Sequence, residues 1–311
     1  MNILLITGGL SSERSVSLIS AKEVKEALEE NLHKVKIFNI KHGTDEMLKL
    51  IKNCDLVFPV LHGEEGEGGG LQKFLQKSDK PYVGGDPVGL KTGWYKIPFK
   101  EFCDKNNIPT APWEKIKNIQ DVIDCGLPCV AKSTNGGSSK EVAILKTKED
   151  LKQKIFLNLF KLNQPLYVEK FLPGIEITVG ILGNEALPVV EIVPPGGSWF
   201  NFKNKYSGET KEIVDTPNLT PKIKKQAQKI ALKIHQTLNL GPYSRIDFII
   251  SKQPSHSSSG EVKPYVLEVN IIPGMTPNSL FPKAAKAAGY PFPQLIKKLV
   301  DLSLKNTSLT V

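Results

Sequence analysis

The sequence lacks any apolar run long enough to span a bilayer. MNILLITGG has no basic stretch and no cleavage site, so it reads as a first β-strand rather than a secretion signal. Cysteine is scarce. The four present (Cys54, Cys103, Cys125, Cys129) show no metal-type CxxC pairing, and with a start that reads as a strand they read as free thiols in a reducing cytoplasm. No stretch matches GxGxxG or GxxxxGK[ST]; GEEGEGGGLQKFLQ is glycine-rich without being either phosphate fingerprint. As a loop entering a helix it can still approach a ligand closely. The net charge of +9 comes mostly from lysine, without an arginine-rich stripe or interleaved aromatics. Lysines spread along helices such as PKIKKQAQKIALKIHQ are solvated faces, and nothing here marks a nucleic-acid surface. No internal repeat is visible.

What is there is an ordinary globular composition, 40% hydrophobic and 23% charged, in 311 residues, a length that suggests about two domains. NILLIT, VKIFNI and DLVFPVLHG read as strands alternating with helices from SSERSVSLISAKEVKEAL and DEMLKLIKNC. That alternation predicts a doubly wound α/β domain with a parallel sheet, the serines serving as N-caps. Ligands of such sheets lie beyond the carboxyl ends of the strands, where Glu13 and His62 fall. Taken alone, Glu13 serves equally as a helix-dipole partner and His62 as a capping side chain. PYVGGDP reads as a strand and a break, with a domain boundary near Pro87.

The stretch to Tyr167 has another texture: one helix around TGWYKIPFKEFCDKNN carrying Lys96, then LPCVAKSTNGGSSKEVAIL as two strands joined by a Gly/Ser loop, with Lys132 ending the first. With the helix EDLKQKIFLNLFKL this describes a small α+β lid, its glycine loop able to wrap phosphate oxygens. Beyond it come PLYVEKFLPG with Glu169 and Lys170, strands in EITVGIL and ALPVVEIVP, and a polar loop, WFNFKNKYSGETKE, with Lys205 and Tyr206. A long amphipathic helix near Pro221 to Leu240, the strands RIDFII and YVLEVN, and closing helices complete the chain.

The chemistry concentrates between Arg245 and Leu280. A hairpin of RIDFII and YVLEVN would bring Asp247, Glu268 and Asn270 side by side, since residues two apart on a strand share a face. Two carboxylates and an amide oxygen form a hard, incomplete ligand set suited to Mg²⁺ with substrate phosphates. Pro273-Gly274-Met275-Thr276 follows as a turn that exposes backbone N–H groups beside it. An arginine, a partial metal cage and a glycine turn together suggest phosphoryl chemistry.

GGLSSERSVSLISA, LHGEEGEGGGLQ, LPCVAKSTNGGSS, EKFLPGIEITV, NKYSGET and RIDF…LEVNIIPGMTPNSL, in this order, resemble the D-alanine–D-alanine ligases of the ATP-grasp superfamily over nearly the whole chain. The resemblance implies an N-terminal α/β substrate domain over 1–87, a central lid over 88–168 and a C-terminal α+β domain over 169–311. It implies that Glu169, Lys170 and Leu172 meet adenine and Glu176 the ribose, while Lys96, Lys132 and Lys205 hold phosphates. It gives Asp247, Glu268 and Asn270 two Mg²⁺ or Mn²⁺ ions. It gives Glu13 the ammonium of the first D-alanine, with His62 nearby and Ser138 and Tyr206 hydrogen-bonded toward Glu13. Arg245 and the Gly274 N–H would form an oxyanion hole, and Ser279 and Leu280 would bind the second carboxylate. ATP and D-alanine are the implied substrates and a cytoplasmic homodimer the implied assembly, with no nucleic acid and no membrane partner. The family's usual Met-Asp is Trp94-Tyr95 here, its usual Val-Gly is Lys140-Glu141, and Gly68 and Ile271 also depart from its habit. Rival readings are D-alanine–D-lactate or D-alanine–D-serine ligases, another ATP-grasp amino-acid ligase, a basic nucleic-acid binder and an inactive homologue. Tyr206 favours the dipeptide enzyme, and the retained Arg245, Asp247, Glu268 and Asn270 favour an active one.

Overall fold

A computed structural model describes residues 1–136, 141–197, 209–252 and 262–307. The N-terminal sheet has strands β1 (Asn2–Thr7), β2 (Lys34–Asn39) and β3 (Leu56–Pro59), all parallel in the order β2-β1-β3. Alternate residues of β1 enter different cores. Ile3 and Leu5 pack with Val24 and Leu28 of α1 (Arg14–Glu30), and Leu4 and Ile6 with Met47 and Ile51 of α2 (Thr44–Lys52). Burial on both faces is why this strand is an uninterrupted apolar run. The expected third strand is shorter than DLVFPVLHG and stops at Pro59, which has no N–H to donate. The glycine-rich stretch folds as two short helices, α3 (Glu64–Glu67) and α4 (Gly70–Leu75). The strand expected in PYVGGDP is reduced to one bridge between Tyr82 and Val57.

The single helix expected around Lys96 is two: α5 (Pro87–Trp94) and α6 (Lys96–Lys105), separated by an extended Tyr95. Pro98 explains the break, because it has no N–H for the Trp94 carbonyl and its ring would crowd that group. Lys96 therefore begins α6, and its N–H donates to the Thr134 carbonyl at 2.8 Å.

The lid is an antiparallel sheet ordered β4-β7-β5-β6: β4 (Trp113–Ile116), β5 (Cys129–Ser133), β6 (Val142–Leu145) and β7 (Leu166–Lys170). α7 (Ile119–Cys125) and α8 (Lys154–Leu159) cover one face with Cys129, Ala131 and Val168. The opposite face carries Val130 and Lys132 into a cleft. Position 168, expected as a domain boundary, falls within β7.

The larger sheet follows the order β11-β10-β8-β12-β13, with β9 (Glu185–Ala186) beside β8. Its members are β8 (Ile175–Leu182), β10 (Val190–Val193), β11 (Lys211–Val214), β12 (Tyr243–Lys252) and β13 (Val262–Asn270). β11 begins in the last two residues of what the sequence presents as a polar loop. Helix α9 (Pro221–Thr237) packs on this sheet, capped by Thr220 with proline in its first turn. The chain closes with α10 (Leu280–Ala287) and α11 (Phe292–Thr307). Leu28 of α1 and Leu295 of α11 belong to the core beneath the large sheet, so N-terminal and C-terminal parts share one interior.

Candidate functional site

The β12–β13 hairpin sets Asp247 opposite Glu268 and Arg245 opposite Asn270. The ladder shifts after Asp247, where Phe248 pairs with Val266, leaving Leu267 as the extra residue of a bulge. Leu267 and Glu268 therefore both line the cleft, while Val266 and Val269 stay in the core. Simple alternation would have sent Leu267 to the other face. Asp247 is buried and well bonded. It accepts from Arg245 Nε and Nη2, both at 3.0 Å, from Thr178 Oγ1 at 2.5 Å and from Asn270 Nδ2 at 2.9 Å. The arginine thus makes a bidentate ion pair from two strand positions away.

Between the lid sheet and the large sheet lies a cleft of about 840 Å³ lined by Lys96, Lys132, Glu169, Lys170, Leu172, Glu176, Asp247 and Glu268. Its floor is a buried cation–anion–cation cluster. Glu169 pairs with Lys132 at 2.5 Å and with Lys100, whose ammonium also donates to Thr110 Oγ1. Thr110 Oγ1 donates onward to the Val266 carbonyl at 3.0 Å, tying this cluster to β13. Burial alone would raise the Glu169 carboxyl, but the two ammonium groups overcome it and bring its pKa down to about 2. Lys100 is absent from the sequence-derived set. The available signal was its position one turn after Lys96, on the buried face with Ile97 and Cys103. Lys96 Nζ donates to the Gly136 carbonyl at 2.7 Å and stands 3.8 Å from Glu268.

A second cavity, about 470 Å³, is lined by Glu13, His62, Arg245, Asn270, Gly274, Ser279 and Leu280. The N-cap expected of a serine falls to Glu13, whose N–H donates to Ser11 Oγ at 3.2 Å. Glu13 occupies the α1 N-cap without a side-chain capping bond, while Ser11, Ser17 and Ser20 surround His62. Ser11 Oγ donates to the His62 carbonyl at 3.1 Å, and the His62 N–H donates to Ser17 Oγ at 2.9 Å. Burial lowers the His62 pKa, against the opposing charge of Glu13. Ser279 Oγ meets Thr276 Oγ1 at 2.8 Å and accepts from the Thr276 N–H, fixing the turn that leads into α10. The other residue that sequence reading missed is Glu67. It accepts from Gly63 N–H at 2.8 Å and Ile272 N–H at 3.1 Å, and joins the glycine-rich stretch to the end of β13. Burial, reinforced by the nearby Glu13 charge, pushes its pKa up to about 8.

Lys96, Gly136 and Glu268 line both cavities, so the two meet at one wall. Ser138, Lys205, Tyr206 and Lys140 lie outside the described residues. Among the described residues no helix is long and apolar enough to cross a membrane.

Two sheets closing on a lysine-lined cleft, with acids at its inner end, are the ATP-grasp arrangement. The family model described as the D-Ala-D-Ala ligase C-terminus matches residues 91–301. A D-alanine–D-alanine ligase of Maridesulfovibrio salexigens is 38% identical over 97% of this chain and 98% of its own length. One from Clostridium botulinum is 36% identical over 98% and 99%. The crystal structure of the Bacillus anthracis D-alanine–D-alanine ligase complexed with ATP superposes with a TM-score of 0.83 at 28% identity, covering all of both chains. The chain belongs to the D-alanine–D-alanine ligase family.

Proposed function

We propose that this protein joins two D-alanines into D-alanyl-D-alanine at the expense of ATP, for peptidoglycan precursor synthesis, as a cytoplasmic homodimer. The observation that carries the reading is the shared wall: a nucleotide-sized cleft and a small polar cavity meet at Lys96 and Glu268. There a terminal phosphate and a substrate carboxylate could come together.

A carboxylate is a poor acyl donor because its leaving group would be oxide. In the proposed reaction the carboxylate oxygen of the first D-alanine attacks the γ-phosphorus, the bond to the bridging oxygen breaks, and ADP departs. The amine of the second D-alanine then attacks the acyl-phosphate carbon. The tetrahedral oxyanion collapses, phosphate leaves, and the amine proton is lost to form the amide. The protein's part is positioning and charge compensation. Lys96 and Lys132 face the phosphates, with Lys205 as a further phosphate residue. Glu169, Lys170 and Leu172 receive the adenine, and Glu176 the ribose. Glu13 takes the first ammonium beside His62, with Ser138 and Tyr206 linked toward it. Ser279 and Leu280, where α10 begins, take the second carboxylate. The Gly274 N–H and the donors of Arg245 beyond those given to Asp247 meet the oxyanion.

Asp247, Glu268 and Asn270 would hold two Mg²⁺ or Mn²⁺ ions; the hairpin sets the two carboxylates opposite each other at the cleft wall, which suits a hard dication. Bound there, the ions supply positive charge against the triphosphate.

The test is phosphate release from ATP with D-alanine, L-alanine, D-serine and D-lactate in parallel. D-alanine should give the highest turnover and D-alanyl-D-alanine as product. ADP formation indifferent to D-alanine, or a preference for another acceptor, refutes the assignment.

A further inference from the structure

Glu64, at the start of α3, uses both carboxylate oxygens on partners from distant parts of the chain. Tyr95 Oη donates to Oε1 at 2.5 Å, and Asn135 Nδ2 donates to Oε2 at 2.6 Å. Asn135 Oδ1 in turn accepts from the Trp94 indole N–H at 3.1 Å and from the Gly136 N–H at 2.8 Å. Tyr95 owes its position to the break between α5 and α6, which holds it extended immediately before Lys96. Burial, then the Glu64 bond and charge, push the Tyr95 pKa up to about 12, so the phenol remains a donor at neutral pH. From the lid side, Glu141 Oε2 accepts from Ser133 Oγ at 2.5 Å, and that hydroxyl also contacts the Asn135 carbonyl. Gly136 is held between these two sets with φ +120°, a conformation that favours glycine. Its carbonyl is the acceptor of Lys96 Nζ. Trp94, Tyr95 and Glu141, all departures from the family's habit, thus converge on one backbone segment, residues 133–136.

We propose that Trp94, Tyr95, Glu64 and Glu141 are positioning residues that clasp the start of the lid's glycine loop, so that Lys96 and the Gly136 backbone are pre-set for the nucleotide's phosphates. The proposal rests on the reading of Lys96 as a phosphate ligand. These side chains act through the loop, and the clasp joins α3 and the α5–α6 break to the end of β5 in the lid. Its effect falls mainly on ATP recognition: Asn135 and Glu141 line the large cleft and not the smaller cavity, Glu64 and Tyr95 border neither, and of the clasp side chains only Trp94 reaches the smaller cavity. Residues 133–136 are held before ATP arrives, and binding then loses less freedom in ordering them.

Tyr95→Phe removes one arm, and Glu64→Ala removes the acceptor of both. For Tyr95→Phe the KM for ATP should rise about three- to tenfold, the range of one charge-assisted hydrogen bond at a half-exposed site. The KM for D-alanine should stay within about twofold, and thermal unfolding should be unchanged. Glu64→Ala should exceed Tyr95→Phe, and the double variant should be no worse than Glu64→Ala, because both act through one contact set. Amide exchange at residues 134–136 should quicken in Glu64→Ala, which a bond irrelevant to the loop would not cause. An unchanged KM for ATP in both single variants, or equal rises for ATP and D-alanine, overturns the clasp. Tyr95→Phe keeps the test open should Glu64→Ala lose its fold. Lys96→Met separates the underlying reading: if ATP affinity survives it, the phosphate assignment is wrong, whereas a crippled Lys96→Met beside silent clasp variants sinks the clasp alone.

Discussion

The two cavities treat a buried glutamate in opposite ways. In the large cleft, Glu169 lies between Lys100 and Lys132 and is held near pKa 2. In the small cavity Glu67 faces burial and the charge of Glu13, which backbone N–H groups offset only in part, and it rises to about 8. The same side chain is a fixed anion in one place and a proton-binding group near neutral pH in the other. The difference lies in what surrounds each: two paired ammonium groups compensate a buried charge, whereas backbone amide dipoles do not fully do so. A cleft organised for a polyanion therefore keeps its own anion paired, leaving one buried salt-bridge cluster that anchors Lys132. The small cavity instead sets Glu67 near Glu13, whose charge adds to burial in holding the Glu67 proton.

Breaking the cluster should give the largest effect. Lys100→Met leaves Glu169 with one cation and should destabilise the fold by about 3–5 kcal/mol, as loss of one partner of a buried pair does. The Glu169 pKa should climb in that variant. In the wild type, the stability tied to Glu169 is present above its unfolded pKa near 4.5 and is lost as pH falls toward about 2. The variant's deficit relative to wild type should therefore shrink as pH falls through the window between about 4.5 and about 2, where the wild-type cluster also loses its ion pairs. Calorimetric melting of both proteins across pH checks this, and a deficit that stays constant through that range would contradict the assignment.

Next comes Arg245, which borders the small cavity while pairing with Asp247. Arg245→Ala should lower kcat by about 10²–10³, the usual loss for one oxyanion donor, with ATP affinity nearly intact. Lysine should rescue poorly, because a point charge cannot reproduce the planar fork. Near-normal kcat with weakened ATP binding, and circular dichroism unchanged, would reassign it to holding Asp247 in place.

The smallest effect sharpens the other side of the comparison. With a folded pKa of about 8 against 4.5, Glu67 binds its proton more tightly in the native state, so its contribution to stability declines as pH rises through that interval. Glu67→Gln keeps the shape and removes the titration. Its unfolding free energy should therefore fall less steeply between about pH 5 and about pH 8 than that of the wild type, with similar stability at the acid end. Denaturant melts at both pH values decide the matter, and parallel pH slopes would place the Glu67 pKa back in the ordinary carboxylate range.

The acids of β12 and β13 were legible in the sequence because a hairpin is a local object, and period-two spacing already places Glu268 with Asn270. The alternating N-terminal strands and helices were legible for the same reason. Lys100 and Glu67 were not, since their character comes from partners far along the chain: Glu169 for one, and the Ile272 N–H, 205 residues away, for the other. A lysine on a helix and an acid in a glycine-rich stretch look like solvent-facing residues until the fold closes over them. The helix break at Tyr95 hides in the delayed action of Pro98, which disturbs the carbonyl four residues earlier. β11 hides because Lys211-Glu212-Ile213-Val214 has little apolar alternation and is a strand through pairing with β10.

The bulge at Leu267 has a consequence for how this surface can change over time. In a regular strand every residue turned toward a ligand is matched by one turned toward the interior, so enlarging a binding wall takes a residue from the core. The extra position in β13 lifts that one-for-one trade. Leu267 contributes to the cleft wall, while Val266 and Val269 keep the interior and Glu268 keeps its place opposite Asp247. Exchanging Leu267 for a longer or shorter apolar side chain can therefore reshape the nucleotide side of the site as an independent variable, leaving the acidic pair and the packing beneath it as they are.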